Sequence, residues 1–72
     1  MTIWQAEIGK EYKVVEIKTS DEELNSFLFS LGCYAGEGIT LVSKRKATCV
    51  VSIKDARYSI EKALAEAIYV FN

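Results

Sequence analysis

Histidine is missing from this chain of 72 residues. Its absence removes the commonest general base and the commonest transition-metal ligand together, which argues against conventional acid–base catalysis and against a tight private metal site. Only two cysteines are present, Cys33 and Cys49. They are too few and too far apart for a disulfide framework and lack the paired spacing of a zinc site, so both are expected to be buried or half-buried thiols. No window approaches the ~18 apolar residues needed to cross a bilayer, and residues 1–7 carry no basic segment ahead of an apolar run; the sequence predicts a cytoplasmic domain without membrane insertion. An excess of positive charge is lacking too. Nine basic and ten acidic side chains leave a net charge of −1, which gives no reason to expect nucleic acid.

What remains is the balance of a soluble globular protein, half apolar and about a quarter charged. A chain this short makes one domain, 1–72, and must bury a compact core. Its organising stretch is residues 27–42, where helical periodicity gives way to strand periodicity through a turn holding Gly32, Gly36 and Gly38. Glycine's access to positive φ allows such a corner.

Residues 2–9 read as a packed lead-in ending in a turn at Gly9. Residues 12–18 are rich in β-branched side chains, and their apolar positions 12, 14 and 17 stay on one face only if the strand bulges near Val15. Ser20-Asp21-Glu22-Glu23 carries a capping-box pattern, with Ser20 as N-cap. Leu24, Phe27, Leu28 and Leu31 then follow the i, i+3, i+4, i+7 spacing of one apolar stripe, predicting a helix from about 21 to 31 that lies on the core, with Gly32 closing it and Phe29 off the stripe. From Gly38 the period falls toward two, with Ile39 and Leu41 on one side. Lys44-Arg45-Lys46 forms a hairpin tip, residues 48–54 a strong antiparallel strand, Asp55-Ala56 a turn, and residues 57–60 a short strand. Residues 61–67 supply one or two helical turns before a last strand at 68–71. The fold class predicted is mainly β with one helix: a small, strongly bent antiparallel barrel of five strands, the helix inserted after the first.

Candidate sites are few. Tyr34 in the Gly32, Gly36, Gly38 corner offers an amphipathic ring to a partner, although the glycines are accounted for by a helix stop and a tight turn. No Gly-Lys-Ser/Thr follows, so the corner is not a phosphate cradle. Lys44, Arg45 and Lys46 are explained as a solvated tip that discourages strand addition, yet with Arg57 they could form a basic patch. The rings of Trp4, Tyr12, Tyr34, Tyr58, Tyr69 and Phe71 are expected mostly in the core, with a peptide groove as the other possibility. Asp21, Glu22 and Glu23 suit a helix N-terminus; successive helical positions point about 100° apart, so they do not converge on one Fe²⁺. No metal ligand set is assigned. Cys33, a lone thiol in a glycine-flanked turn, is read as a small, partly buried side chain.

The order and spacing of Gly9, Leu31-Gly32-Cys33-Tyr34-Ala35-Gly36, Ile39 and Leu41, Ile60 with Leu64-Ala65, and Ile68-Tyr69-Val70 resemble the FeoA family across nearly the whole chain. The corner is similar to that family's Leu-Gly-x-x-Pro-Gly, with Ala35 in place of proline. Phe27 and Glu61 stand where basic residues are common. The resemblance implies a small cytosolic SH3-like barrel, non-enzymatic, that acts as an accessory or regulator of bacterial ferrous iron uptake. Its implied partner is a FeoB-type transporter, through the cytosolic face or the GTP-binding domain. No cofactor is implied beyond a weak or transient Fe²⁺ contact, and oligomeric state is left open. Phe29, Tyr34, Lys44, Arg45 and Lys46 are the expected partner contacts. Two other functions fit the residues: a nucleic-acid-binding barrel using Lys44, Lys46 and Arg57, and a metal-responsive module in which carboxylates or Cys33 join two barrels.

Overall fold

The computed structural model describes residues 1–71; Asn72 of the expected 1–72 domain lies outside them. A 3-10 turn over Ile3–Gln5 precedes strand β1 (Glu11–Ile17), helix α1 (Glu22–Leu31), strands β2 (Gly38–Lys44), β3 (Thr48–Ile53) and β4 (Ala56–Glu61), the short helix α2 (Lys62–Ala65) and strand β5 (Ile68–Phe71). The sheet is antiparallel throughout, in the order β4-β3-β2-β1-β5. It is not closed by a ladder between β4 and β5. The 3-10 turn and α2 lie against each other and against these two strands, completing an SH3-like barrel by packing.

Alternation decides the core. Tyr12 and Val14, Ile39 and Leu41, Cys49, Val51 and Ile53, and Ile68 and Val70 point inward from their strands, and Ile3, Ala6, Leu28, Cys33 and Ala65 close the ends. The bulge expected near Val15 is present: Val14 pairs with Val70 and Glu16 with Tyr69, leaving Val15 without an opposite residue and half exposed. This keeps Ile17 on the inner side. At the other end of the chain, the Val70 amide donates to the Met1 carbonyl (2.8 Å) and Thr2 bridges Tyr69, so the lead-in lies along β5.

Four expectations need correction. The N-cap of α1 is Asp21, not Ser20: Asp21 Oδ1 accepts from the amides of Glu23 (3.0 Å) and Leu24 (3.3 Å). A carboxylate serves there as well as a hydroxyl and adds charge at the positive end of the dipole. The apolar stripe of α1 is only half covered, with Leu28 buried, Leu31 partly so, Leu24 at the edge and Phe27 47% exposed. Of the six rings expected mostly in the core, only Tyr12 is buried, its hydroxyl accepting from the Glu7 amide (3.0 Å), whereas Phe71 is 68% exposed. Aliphatic side chains fill most inward positions, so Trp4 and Tyr58 are only partly buried against the core and the remaining rings stand nearer the rim; ammonium groups of Lys18, Lys44 and Lys62 lie over Tyr69 and Trp4. Finally, the β3–β4 turn is Lys54-Asp55, flanked by the pair Ile53 and Ala56. Both turn residues have positive φ (49° and 66°), the backbone twist a two-residue antiparallel hairpin requires.

Candidate functional site

The corner after α1 is built by hydrogen bonds that only one chain geometry satisfies. Gly32 adopts φ 90°, ψ 15°. Its amide donates to the Phe29 carbonyl (3.0 Å) and the Cys33 amide to the Leu28 carbonyl (2.9 Å), the reciprocal pair of a Schellman stop. Cys33 and Leu28, the residues this motif brings together, are both buried. A second left-handed glycine, Gly36 (φ 93°), turns the chain back so that its amide donates to Val14 O, while Glu37 O accepts from Val14 N, each at 2.8 Å. Gly38 has no such φ: it already belongs to β2, opposite Lys13, and a side chain there would meet the Glu11 carboxylate.

This geometry brings Phe29 and Tyr34 together. Their ring centroids are 4.8 Å apart with planes tilted by 31°, and Phe29 is 65% exposed. Lys54 braces the corner from the β3–β4 turn. Its aliphatic stem lies where a Gly32 side chain would be, and its ammonium donates to Glu37 Oε2 at 3.1 Å. That hydrogen bond, with the charges of Glu37 and Tyr34, raises the Lys54 pKa. The result is an aromatic surface on a fixed backbone, bordered by the Lys54–Glu37 pair; beneath it, burial pushes the Cys33 thiol up to about 11, so it is protonated at neutral pH.

The basic residues of the hairpin tip are elsewhere. Phe29 and Tyr34 flank the start of β2 and Lys44 ends it, roughly 20 Å away at about 3.3 Å per residue, so corner and tip are two surfaces. Lys44 is a strand residue whose ammonium donates to the Trp4 carbonyl (3.0 Å) and lies 4.9 Å from the Trp4 ring. Only Arg45 and Lys46 stand free in the turn. Arg57 pairs with Ser52 at the opposite end of β3 from this tip, so Lys44, Lys46 and Arg57 do not form one patch. Among the described residues no three acidic or cysteine side chains converge as a metal site would require, and the Asp21 carboxylate is engaged as a cap.

The sequence reading missed two features. A groove of about 360 Å³ runs between α1 and the end of β4, lined by Leu24, Phe27, Ile60, Ala63 and Leu64 on its apolar side; the stripe periodicity named Leu24 and Phe27 but assigned them to the core. Lys62, whose amide donates to Ala47 O, puts a second ammonium over Trp4, a contact that nothing in the local sequence signals.

A family model described as the FeoA domain matches residues 1–71. Among solved structures, the chain is similar to an iron uptake regulatory protein (FeoA), with TM-score 0.86 and 22% identity over 99% of this chain and 95% of that one. It is also similar to the zinc-complexed FeoA of Stenotrophomonas maltophilia, an SH3 domain protein suggested as a bacterial ferrous iron transport activating factor; there the TM-score is 0.84 and the identity 19%, covering 97% and 88% of the two chains. A manganese-dependent transcriptional repressor carries the same fold in 41% of its length, with TM-score 0.88 and 20% identity over all of this chain. No curated protein matches. No helix among the described residues is long and apolar enough to span a membrane.

Proposed function

The chain belongs to the FeoA domain family, and from that premise we propose that it is a non-enzymatic accessory of ferrous iron uptake that docks on the cytosolic face or GTP-binding domain of a FeoB-type transporter through the corner after α1. The observation that carries this reading is the Phe29–Tyr34 ring pair, Phe29 exposed and Tyr34 half-buried, on a backbone fixed by the Schellman stop and the Val14 hydrogen bonds. Phe29 is 65% exposed and in contact with Tyr34, and aromatic side chains on rigid supports are the usual anchors of protein interfaces. In this account the protein holds no resident cofactor; any Fe²⁺ contact is weak and transient. Arg45 and Lys46, on a separate surface, contribute at most at the rim.

Titration of the domain against the transporter's cytosolic GTP-binding portion, with and without nucleotide and Fe²⁺, tests the proposal. Saturable binding weakened about ten-fold or more by Phe29→Ser with Tyr34→Ser is the expected result. Binding unchanged by that double substitution would exclude the corner as the contact, and no binding in any condition would exclude the GTP-binding portion as the partner.

A further inference from the structure

The two edges of the sheet are treated differently. β5 is covered by the lead-in, through Val70 N to Met1 O and the Thr2 to Tyr69 bridge. β4 is not. It pairs with β3 over six consecutive residues without a bulge, and among the described residues no backbone hydrogen bond reaches its outer side. The chain contains no proline to blunt it. An edge this regular is a template for another strand.

The register says which backbone groups are free. Ile53 and Ala56 flank the two-residue turn and so exchange hydrogen bonds, and alternation makes Tyr58 and Ile60 the next residues bonded to β3. Arg57, Ser59 and Glu61 therefore aim their N–H and C=O groups away from the sheet. Their side chains share the exposed face, and neither Arg57 nor Glu61 has an ion-pair partner among the described residues. Read outward from Ser59, the strand is self-complementary: a two-fold axis there sets Arg57 opposite Glu61 of the partner subunit and Glu61 opposite Arg57 of the partner subunit.

We propose that β4 is a homodimer interface, in which two copies pair antiparallel about Ser59 into one continuous sheet. The three residues with free backbone groups fall opposite one another in this register, each pair able to exchange both hydrogen bonds, so backbone geometry and charge select the same alignment. On the inner face, the partner's Tyr58 falls opposite Ile60, beside the groove whose walls include Leu24 and Phe27. The interface is isologous and closed, so it stops at two subunits.

Sedimentation velocity from about 10 μM to about 1 mM, a range that populates even a weak interface, is expected to show a species of twice the chain mass. Arg57→Glu and Glu61→Arg each turn two attractive cross-strand pairs into repulsive ones and weaken the dimer at least about ten-fold. The double variant R57E/E61R restores both pairs and with them the dimer. Ser59→Cys, at the axis, gives a covalent dimer on mild oxidation, whereas the native thiols are buried and do not compete. A wild-type chain monomeric throughout the range overturns the proposal. So does a dimer indifferent to the single substitutions, or one that the double substitution fails to restore while circular dichroism shows all variants folded.

Discussion

Replacing Gly32 by alanine tests how the corner is held. The residue sits at φ 90°, where an L-amino acid costs roughly 1–2 kcal/mol, offset in part by the lower chain entropy of unfolded alanine. An added Cβ would also approach Lys54 Cε to 2.6 Å and Cδ to 2.8 Å. The lysine stem is flexible and gives way, at the expense of its hydrogen bond to Glu37. That pair is more than half exposed on the lysine side, so screening by solvent leaves it a minor part of the cost. The total is ~1–2 kcal/mol, a fall in Tm of roughly 5–15 °C for a domain of this size. Urea denaturation of wild type, G32A, K54A and G32A/K54A measures both parts, because the alanine loses its clash but keeps its backbone strain once Lys54 is truncated. A cost below about 0.3 kcal/mol for G32A would refute the backbone argument. An equal cost in the two backgrounds would refute the role given to the lysine stem.

Two further outcomes can be checked on the same instrument. Burial raises the Cys33 pKa from 9.0 to about 11, so the folded state holds its proton while the unfolded state loses it; stability is full below pH 9 and falls between pH 9 and about 11, by up to ~1.4 kcal/mol per pH unit. Denaturation at several pH values should show this part of the alkaline slope in wild type and lack it in Cys33→Ala. Asp55→Gly relieves a positive φ of 66° in the β3–β4 turn and is expected to stabilise by about 0.5–1 kcal/mol, read as a rise in Tm; a fall would show that the Asp55 side chain contributes more than its backbone costs.

Much of the fold was legible because each signal depended on neighbours in sequence. Tyr12, Val14 and Ile17 cannot share a face without the bulge at Val15, and a glycine after Leu31 stops a helix wherever the helix is placed. A small bent five-stranded barrel followed from strand order and the insertion of α1, and its SH3-like class from the family resemblance. What the sequence did not determine depended on competition between distant residues. Ser20 and Asp21 are both good caps, and local pattern cannot rank them. The rings were assigned inward on size, yet the inward positions of β2 and β3 were already taken by Ile39, Leu41, Cys49, Val51 and Ile53. Phe29 and Tyr34 were named separately and meet because Gly32 turns between them. Joining them with Lys44 to Lys46 in one surface overlooked the length of β2, and adding Arg57 to the tip overlooked that a hairpin strand runs away from the loop it faces.

The hydrogen bond from the Val70 amide to the Met1 carbonyl places the start of the lead-in beside β5, so the backbone of the domain is nearly a ring. A short linker between the two ends, with a new break at the exposed tip between Arg45 and Lys46, would leave every strand pairing in place. Connectivity is then separable from architecture. Such a circularly permuted chain should reach the same native structure while changing only which contacts are local, and hence the order in which they form.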